Sequence, residues 1–116
     1  MEKIVKQSLL YDFYGELLTK HQRQIYEDAV FNDMSLSEIA DNYDITRQAA
    51  FDLIKRCDKA LESYECKLGM LERFDKIKSY TAGILKVSEE LKKKSFDNSK
   101  EAEEISDLAE NILDVL

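Results

Sequence analysis

Between residues 3 and 18 the apolar side chains fall at Ile4, Val5, Leu9, Leu10, Phe13, Tyr14, Leu17 and Leu18. That spacing predicts a helix with a wide buried stripe. Thr19-Lys-His-Gln22 then has the form of a capping box, with Thr19 covering a free backbone amide and Gln22 reaching back. Ile25, Tyr26, Ala29, Val30 and Phe31 supply the buried face of the helix that follows, and Asn32 and Asp33 end it. Ser35-Leu-Ser-Glu38 repeats the capping signal and opens a short helix to about Asn42. Thr46 has the position of an N-cap for a helix entering with Arg47 and Gln48. From there to about Lys94 only Gly69 and Gly83 interrupt, so one long helix or two with a bend near Gly69 fit equally.

Residues 92–100 are polar and turn-rich, and Asp97, Asn98 or Ser99 can cap a last helix. Ala102, Ile105, Leu108, Ala109, Ile112, Leu113 and Leu116 mark its expected buried stripe. With no proline and three glycines in 116 residues, the chain lacks the residues that strands and tight hairpins use. The fold class expected is all-α: a helix-turn-helix domain over residues 1–66, then a long helix and a C-terminal helix over 67–116 as an association segment.

Charge narrows the function classes. The formal net charge of −7 opposes indiscriminate adhesion to a phosphate backbone, so any nucleic-acid surface must be local. No apolar run approaches the roughly 20 residues that span a bilayer, which argues against a membrane partner. The first residues carry acids and lack a small-residue cleavage site, against a secretory signal. Cys57 and Cys66, if on one helix, stand about 180° apart and about 13 Å along the axis, beyond disulfide reach. Two thiols and one histidine fall short of a zinc site. A reducing cytoplasm is the expected location, and no cofactor is expected.

The stretch 35–57, SLSEIADNYDITRQAAFDLIKRC, meets the requirements of a helix-turn-helix. Ile39 and the small Ala40 let a second helix cross close above the first. Tyr43 and Ile45 plug the core on either side of the turn. Asp44 stands where the backbone commonly turns left-handed, a place cheapest for glycine and next for Asp or Asn. Thr46, Ala50 and Leu53 cap and anchor the second helix. Its exposed positions include Arg47 and Gln48 in the first turn, the part that enters a major groove; arginine bonds guanine and glutamine adenine. Lys55, Arg56 and Lys59 are placed for phosphates. Residues 46–59 carry +2, leaving −9 for the rest. The plain alternative is two core helices joined by a turn, with Arg56 paired to Asp52 on its own helix.

The series Leu61, Tyr64, Leu68, Leu71, Phe74, Ile77, Thr81, Ile84, Ser88, Leu91 runs at spacings of three and four. It reads either as a seam that makes a homodimer, setting two helix-turn-helices side by side, or as one amphipathic helix packed within the chain. Lys92–Lys94 read as cations at a helix C-terminus, or as grips for RNA phosphates. His21 reads as a surface residue, and Tyr11, Phe13, Tyr14 and Tyr26 as core aromatics. No glycine-rich phosphate loop, nucleophile elbow or isolated carboxylate pair points to an enzyme.

The stretch SLSEIADNYDITRQAAFDLIKR resembles the helix-turn-helix in the fourth region of primary sigma factors. It is still more similar to the YlxM family of small bacterial proteins, through Asp12-Phe13-Tyr14, Leu17-Leu18-Thr19, the helix Thr46 to Arg56, and Leu61-Glu62-Ser63-Tyr64-Glu65 with Lys67 and Leu68. The resemblance covers about residues 8–75. It implies a regulatory or accessory role near the signal recognition particle pathway, with DNA or the particle's RNA as the nucleic-acid partner. The particle's protein subunit or receptor is the partner in the alternative, a helical adaptor that touches no nucleic acid. Asp44 in the turn and Asp52 on the exposed face depart from the pattern, and both weaken attraction to phosphates.

Overall fold

The computed structural model describes residues 2–94 and 99–116. They form six α-helices and one 3-10 turn, with no strand among the described residues. The helices are α1 (Lys3–Tyr14), α2 (Lys20–Val30), α3 (Leu36–Tyr43), α4 (Arg47–Leu68), α5 (Met70–Lys94) and α6 (Ser99–Val115), and the 3-10 turn is Gly15–Leu17. The fold is all-α, as the pattern predicted. The chain divides into two compact units, Met1–Leu71 and Glu72–Leu116.

The local signals set most boundaries in the first unit. Thr19 and Gln22 close both halves of the capping box, at 3.2 and 3.0 Å. Ser35 Oγ accepts from the Glu38 amide at 3.1 Å, but the Glu38 carboxylate takes the Ser35 hydroxyl rather than its amide. Thr46 Oγ1 accepts from the Ala49 amide at 3.0 Å. The first helix is shorter than the apolar pattern implied. It stops at Tyr14, because Leu18 must be extended for Thr19 to cap α2. At the junction the Tyr11 ring lies so close to Gly15 that a Cβ there would meet it at 2.8 Å. Leu17, expected inside, is left 56% exposed, and Ile4 and Val5 are nearly as open.

In this unit α4 packs against α1, α2 and α3. One side of it meets Leu10, Tyr14, Leu18 and Tyr26 through Cys57 and Leu61; another meets Ile25 and Ile39 through Ala50. Leu53 and Ile54 pack against both clusters. Each fully buried aliphatic side chain contributes about 1.5–3 kcal/mol of transfer free energy. Tyr14 and Tyr26 are buried among them, as expected of core aromatics, and each phenol finds an acceptor.

Gly69 resolves the open question about the long helix. Its left-handed backbone (φ 64°, ψ 27°) ends α4, so two helices stand where one was allowed. The start of α5 is held by side chains of other helices. Tyr14 Oη donates to Glu65 Oε1 at 2.6 Å, accepts from the Met70 amide at 3.0 Å, and Glu65 Oε1 takes the Leu71 amide at 2.9 Å. Helix-opening amides need such partners. Burial, reinforced by the Glu65 carboxylate, holds the Tyr14 phenol above its usual pKa range. Gly83 lies inside α5 without interrupting it.

In the second unit the α6 pattern is met in part: Ala102 and Ala109 are buried as expected, but the large residues of the same stripe are not. The buried residues are Ala102, Ser106 and Ala109, while Ile105, Leu108, Ile112 and Leu116 stay at least 41% exposed. On α5 the same holds: Thr81 and Ser88 are buried, and Ile77 and Ile84 are open. Ser88 Oγ donates to the Ala102 carbonyl and accepts from Ser106 Oγ. Small residues let two helix backbones approach closely, and these hydroxyls satisfy one another at the contact. The series over 61–91 is divided by Gly69, and its Thr81 and Ser88 positions are buried within the chain, as the amphipathic-helix reading requires. The caps expected at Asp97 and Asn98 lie outside the described residues; α6 opens at Ser99. Lys92 at the end of α5 pairs with Glu89 at 3.6 Å.

Candidate nucleic-acid interface

The turn between α3 and α4 is built as a helix-turn-helix requires. Ile39 and Ala50 are fully buried against each other's helices, and Ala40 is 6% exposed. Asp44 takes the left-handed conformation (φ 53°, ψ 48°), and the Ile45 amide bonds the Ala40 carbonyl at 3.0 Å. Tyr43 and Ile45 pack on the Ile25–Ile39–Ala50 cluster. Tyr43 Oη also donates to Asp28 Oδ2 at 2.5 Å, fixing α3 to α2. Left-handed backbone costs an ordinary L-residue about 1–2 kcal/mol. Asp44→Val should therefore lower unfolding stability by at least about 1 kcal/mol, while Asp44→Gly retains it; urea denaturation measures both.

Arg47, Gln48, Lys55, Arg56 and Lys59 are all exposed. At 3.6 residues per turn, Phe51, Lys55 and Lys59 follow Arg47 at about 40°, 80° and 120° around α4, whereas Arg56 lies about 180° away. The predicted residues therefore divide into three places. Arg47 and Gln48 line an open groove with Leu36 and Phe51, where the start of α3 faces the first turns of α4. Lys55 and Lys59 line a second cleft, against α1. Arg56 belongs to neither lining.

Two contacts within α4 shape the groove. Gln48 Nε2 donates to Asp52 Oδ1 at 2.9 Å. The carboxylate that the plain alternative paired with Arg56 thus holds the glutamine amide instead. Lys55 Nζ stands 5.5 Å from the centroid of the Phe51 ring, a cation–π arrangement that draws the lysine toward the groove. Leu36 escaped the sequence reading because its exposure depends on where α3 ends up, not on its type.

The α1 side of α4 is fastened by a half-buried polar junction. Asp58 Oδ1 accepts from Tyr26 Oη at 2.6 Å and from Gln7 Nε2 at 2.9 Å, joining α1, α2 and α4. Burial first, and then Asp58, push the Tyr26 phenol well above its usual range. The adjacent Cys57 thiol is pushed up to about 11 by burial. Cys57 and Cys66 are both free, the first buried and the second exposed. Among the described residues no His, Cys, Asp or Glu cluster has the form of a metal site, and no helix is long and apolar enough to cross a membrane.

Comparison with known proteins agrees with this geometry. Residues 1–108 match the family described as "Putative helix-turn-helix protein, YlxM / p13 like", UPF0122. The UPF0122 protein of Shouchella clausii is 43% identical over 86 residues, 74% of this chain and 79% of that protein. That of Geobacillus sp. is 40% identical over 112 residues, 90% of this chain and 98% of that protein. That of Thermoanaerobacter sp. is 43% identical over 90 residues, 78% and 77% of the two chains. With its turn, its caps and nearly its whole length accounted for, the chain belongs to the UPF0122 family of helix-turn-helix proteins, YlxM / p13 like.

Proposed function

We propose that the protein is a DNA-binding regulator that reads duplex DNA through the first turns of α4. The observation that carries this reading is the open groove of Leu36, Arg47, Gln48 and Phe51, anchored from beneath by the fully buried Ala50. Arg47 is the candidate for guanine and Gln48 for adenine, while Lys55, Lys59 and, from the far flank, Arg56 supply phosphate contacts. Duplex DNA is preferred over duplex RNA because a helix fits the major groove of B-form DNA, whereas that of A-form RNA is too deep and narrow for side chains to read. The YlxM resemblance makes the signal recognition particle's RNA the second ligand to test. Purified protein titrated into labelled duplex DNA and into that RNA across a salt series tests the reading. The expected result is DNA binding that weakens steeply as salt rises. Absence of any salt-dependent binding to DNA sinks it.

The adaptor reading has one observation in its favour: Asp52, on the exposed face, occupies the Gln48 amide. Capture of the particle's protein subunit or receptor that survives nuclease, with no mobility shift on DNA or RNA, selects it.

Self-association is the second part of the proposal, with a second copy of the chain as the occupant. In the unit Glu72–Leu116, α5 exposes Ile77, Tyr80, Ile84 and Val87, and α6 exposes Ile105, Leu108, Ile112 and Val115, each at offsets of three, four and three. Eight large apolar side chains, each at least 41% exposed, are on the scale of a standard interface of about 800 Å² per partner. Two such helix pairs complete a four-helix bundle, and paired helix-turn-helices read paired half-sites. Sedimentation should find a dimer that Ile84→Glu with Leu108→Glu converts to a folded monomer. A monomer for the unaltered chain at tens of micromolar overturns it.

A further inference from the structure

We propose that Lys3 and Lys6 of α1 join Lys55 and Lys59 of α4 in a second site, a cleft that grips the phosphodiester backbone of duplex DNA beside the reading groove. The inference rests on the DNA-binding reading above and adds residues outside the helix-turn-helix to it.

The four lysines line one cavity of about 260 Å³ between α1 and α4. All four are exposed. Two carboxylates share the lining, Asp58 and Glu62. Asp58 is committed to the Tyr26 and Gln7 hydrogen bonds that fasten the helices, and Glu62 reaches Lys6 only at 3.9 Å, with both side chains more than half exposed. An exposed pair of that kind is worth about 0–1 kcal/mol and yields readily to a competing phosphate. Four lysines against two acids leave the cleft at +2, in a chain of −7.

Position supports the same ligand. Lys55 belongs to the cleft and also leans over Phe51, which lines the reading groove, so the two sites are continuous. Along α4, Lys55 and Lys59 lie about 12 and 18 Å beyond Arg47. A major groove is about 12 Å wide, so a helix whose first turn touches base edges brings backbone phosphates to this distance.

Helix electrostatics adds an independent reason. Lys3 and Lys6 occupy the opening of α1, where the macrodipole favours anions and disfavours cations. The first turn carries no acid to offset them. A bound phosphate would be attracted by both lysines and by the helix end. The acids nearest them are Glu2 at the N-cap and Glu62, in its long contact with Lys6.

The test uses the full chain and a labelled random duplex of about 30 base pairs. Lys3→Gln with Lys6→Gln should weaken binding about tenfold or more at low salt and make the log–log salt dependence shallower by about 2, equally on every sequence. Lys3→Arg with Lys6→Arg should restore both. Unfolding midpoints of the variants, compared with the unaltered protein, verify that the fold is kept, and Lys3→Gln alone, with an expected slope change of about 1, gives a second reading. Unchanged affinity and slope in the Gln variants, while the unaltered chain binds, overturn the cleft and leave the helix-turn-helix reading intact. A loss confined to particular sequences also overturns it, by assigning these lysines to base contacts. If the unaltered chain binds no DNA at all, the reading and the cleft fall together.

Discussion

Replacing Ile39 with alanine is expected to destabilise the protein by about 2–5 kcal/mol. Ile39 is fully buried between Ile25 and Ala50, at the crossing of α3 over α4, so truncation leaves a cavity. The neighbours cannot close over it easily: Ala50 has no side chain to extend, and α3 is tied to α2 by Tyr43 and Asp28. A domain of this size has about 5–15 kcal/mol of stability in total, so the loss is a substantial share of it. Urea denaturation followed by circular dichroism measures the change. A loss below about 1 kcal/mol would mean that the α3–α4 crossing is not closely packed in solution.

Arg47→Ala is expected to weaken DNA binding by about 5- to 150-fold and to relax discrimination at one base pair, since a bidentate arginine–guanine contact is worth about 1–3 kcal/mol. Arg56→Ala should cost only a few-fold, without change in sequence preference, because Arg56 lies about 180° around α4 from Arg47 and lines neither groove nor cleft. The ranking separates base reading from phosphate contact, which a double variant carrying both Arg47→Ala and Arg56→Ala does not by itself. Equal effects would place both arginines on phosphates, and binding unaltered in the double variant would remove α4 as the reading helix. Fluorescence anisotropy on specific and scrambled duplexes distinguishes these outcomes.

The helix-turn-helix was legible because its constraints are local. A cap, a small residue at the crossing and a left-handed turn each act within a few residues, so Thr46, Ala40 and Asp44 could be read in place. The segment of α5 and α6 is only partly legible, because its burial depends on a neighbour. Ala102, Ile105, Leu108, Ala109 and Ile112 look like one wide buried stripe, and the period alone cannot tell which edge of it meets α5. Ala102, Ser106 and Ala109 win that face because they allow close backbone approach and satisfied hydroxyls. The groove and cleft were half legible. Arg47, Gln48, Lys55 and Lys59 share one side of one helix, but Leu36, Lys3 and Lys6 reach them from other helices. Lys3 and Lys6 at the opening of α1 are visible in the sequence, but their place beside α4 is not.

By itself the sequence determined the all-α class, the capped starts of α2, α3 and α4, the helix-turn-helix between residues 35 and 57, and the exposure of its polar residues. These follow from backbone hydrogen bonding and hydrophobic period, whose range is a turn or two of helix. The tertiary structure alone decided that Gly69 separates two helices, that Tyr14 and Glu65 cap the second, that Ser88 and Ser106 meet at the α5–α6 contact while Ile105 and Leu108 stay open, and that α1 completes a basic cleft beside α4. Each of those depends on groups 14 or more residues apart being brought within hydrogen-bonding or packing distance, or, for Gly69, on which of two allowed backbone states the surrounding contacts favour.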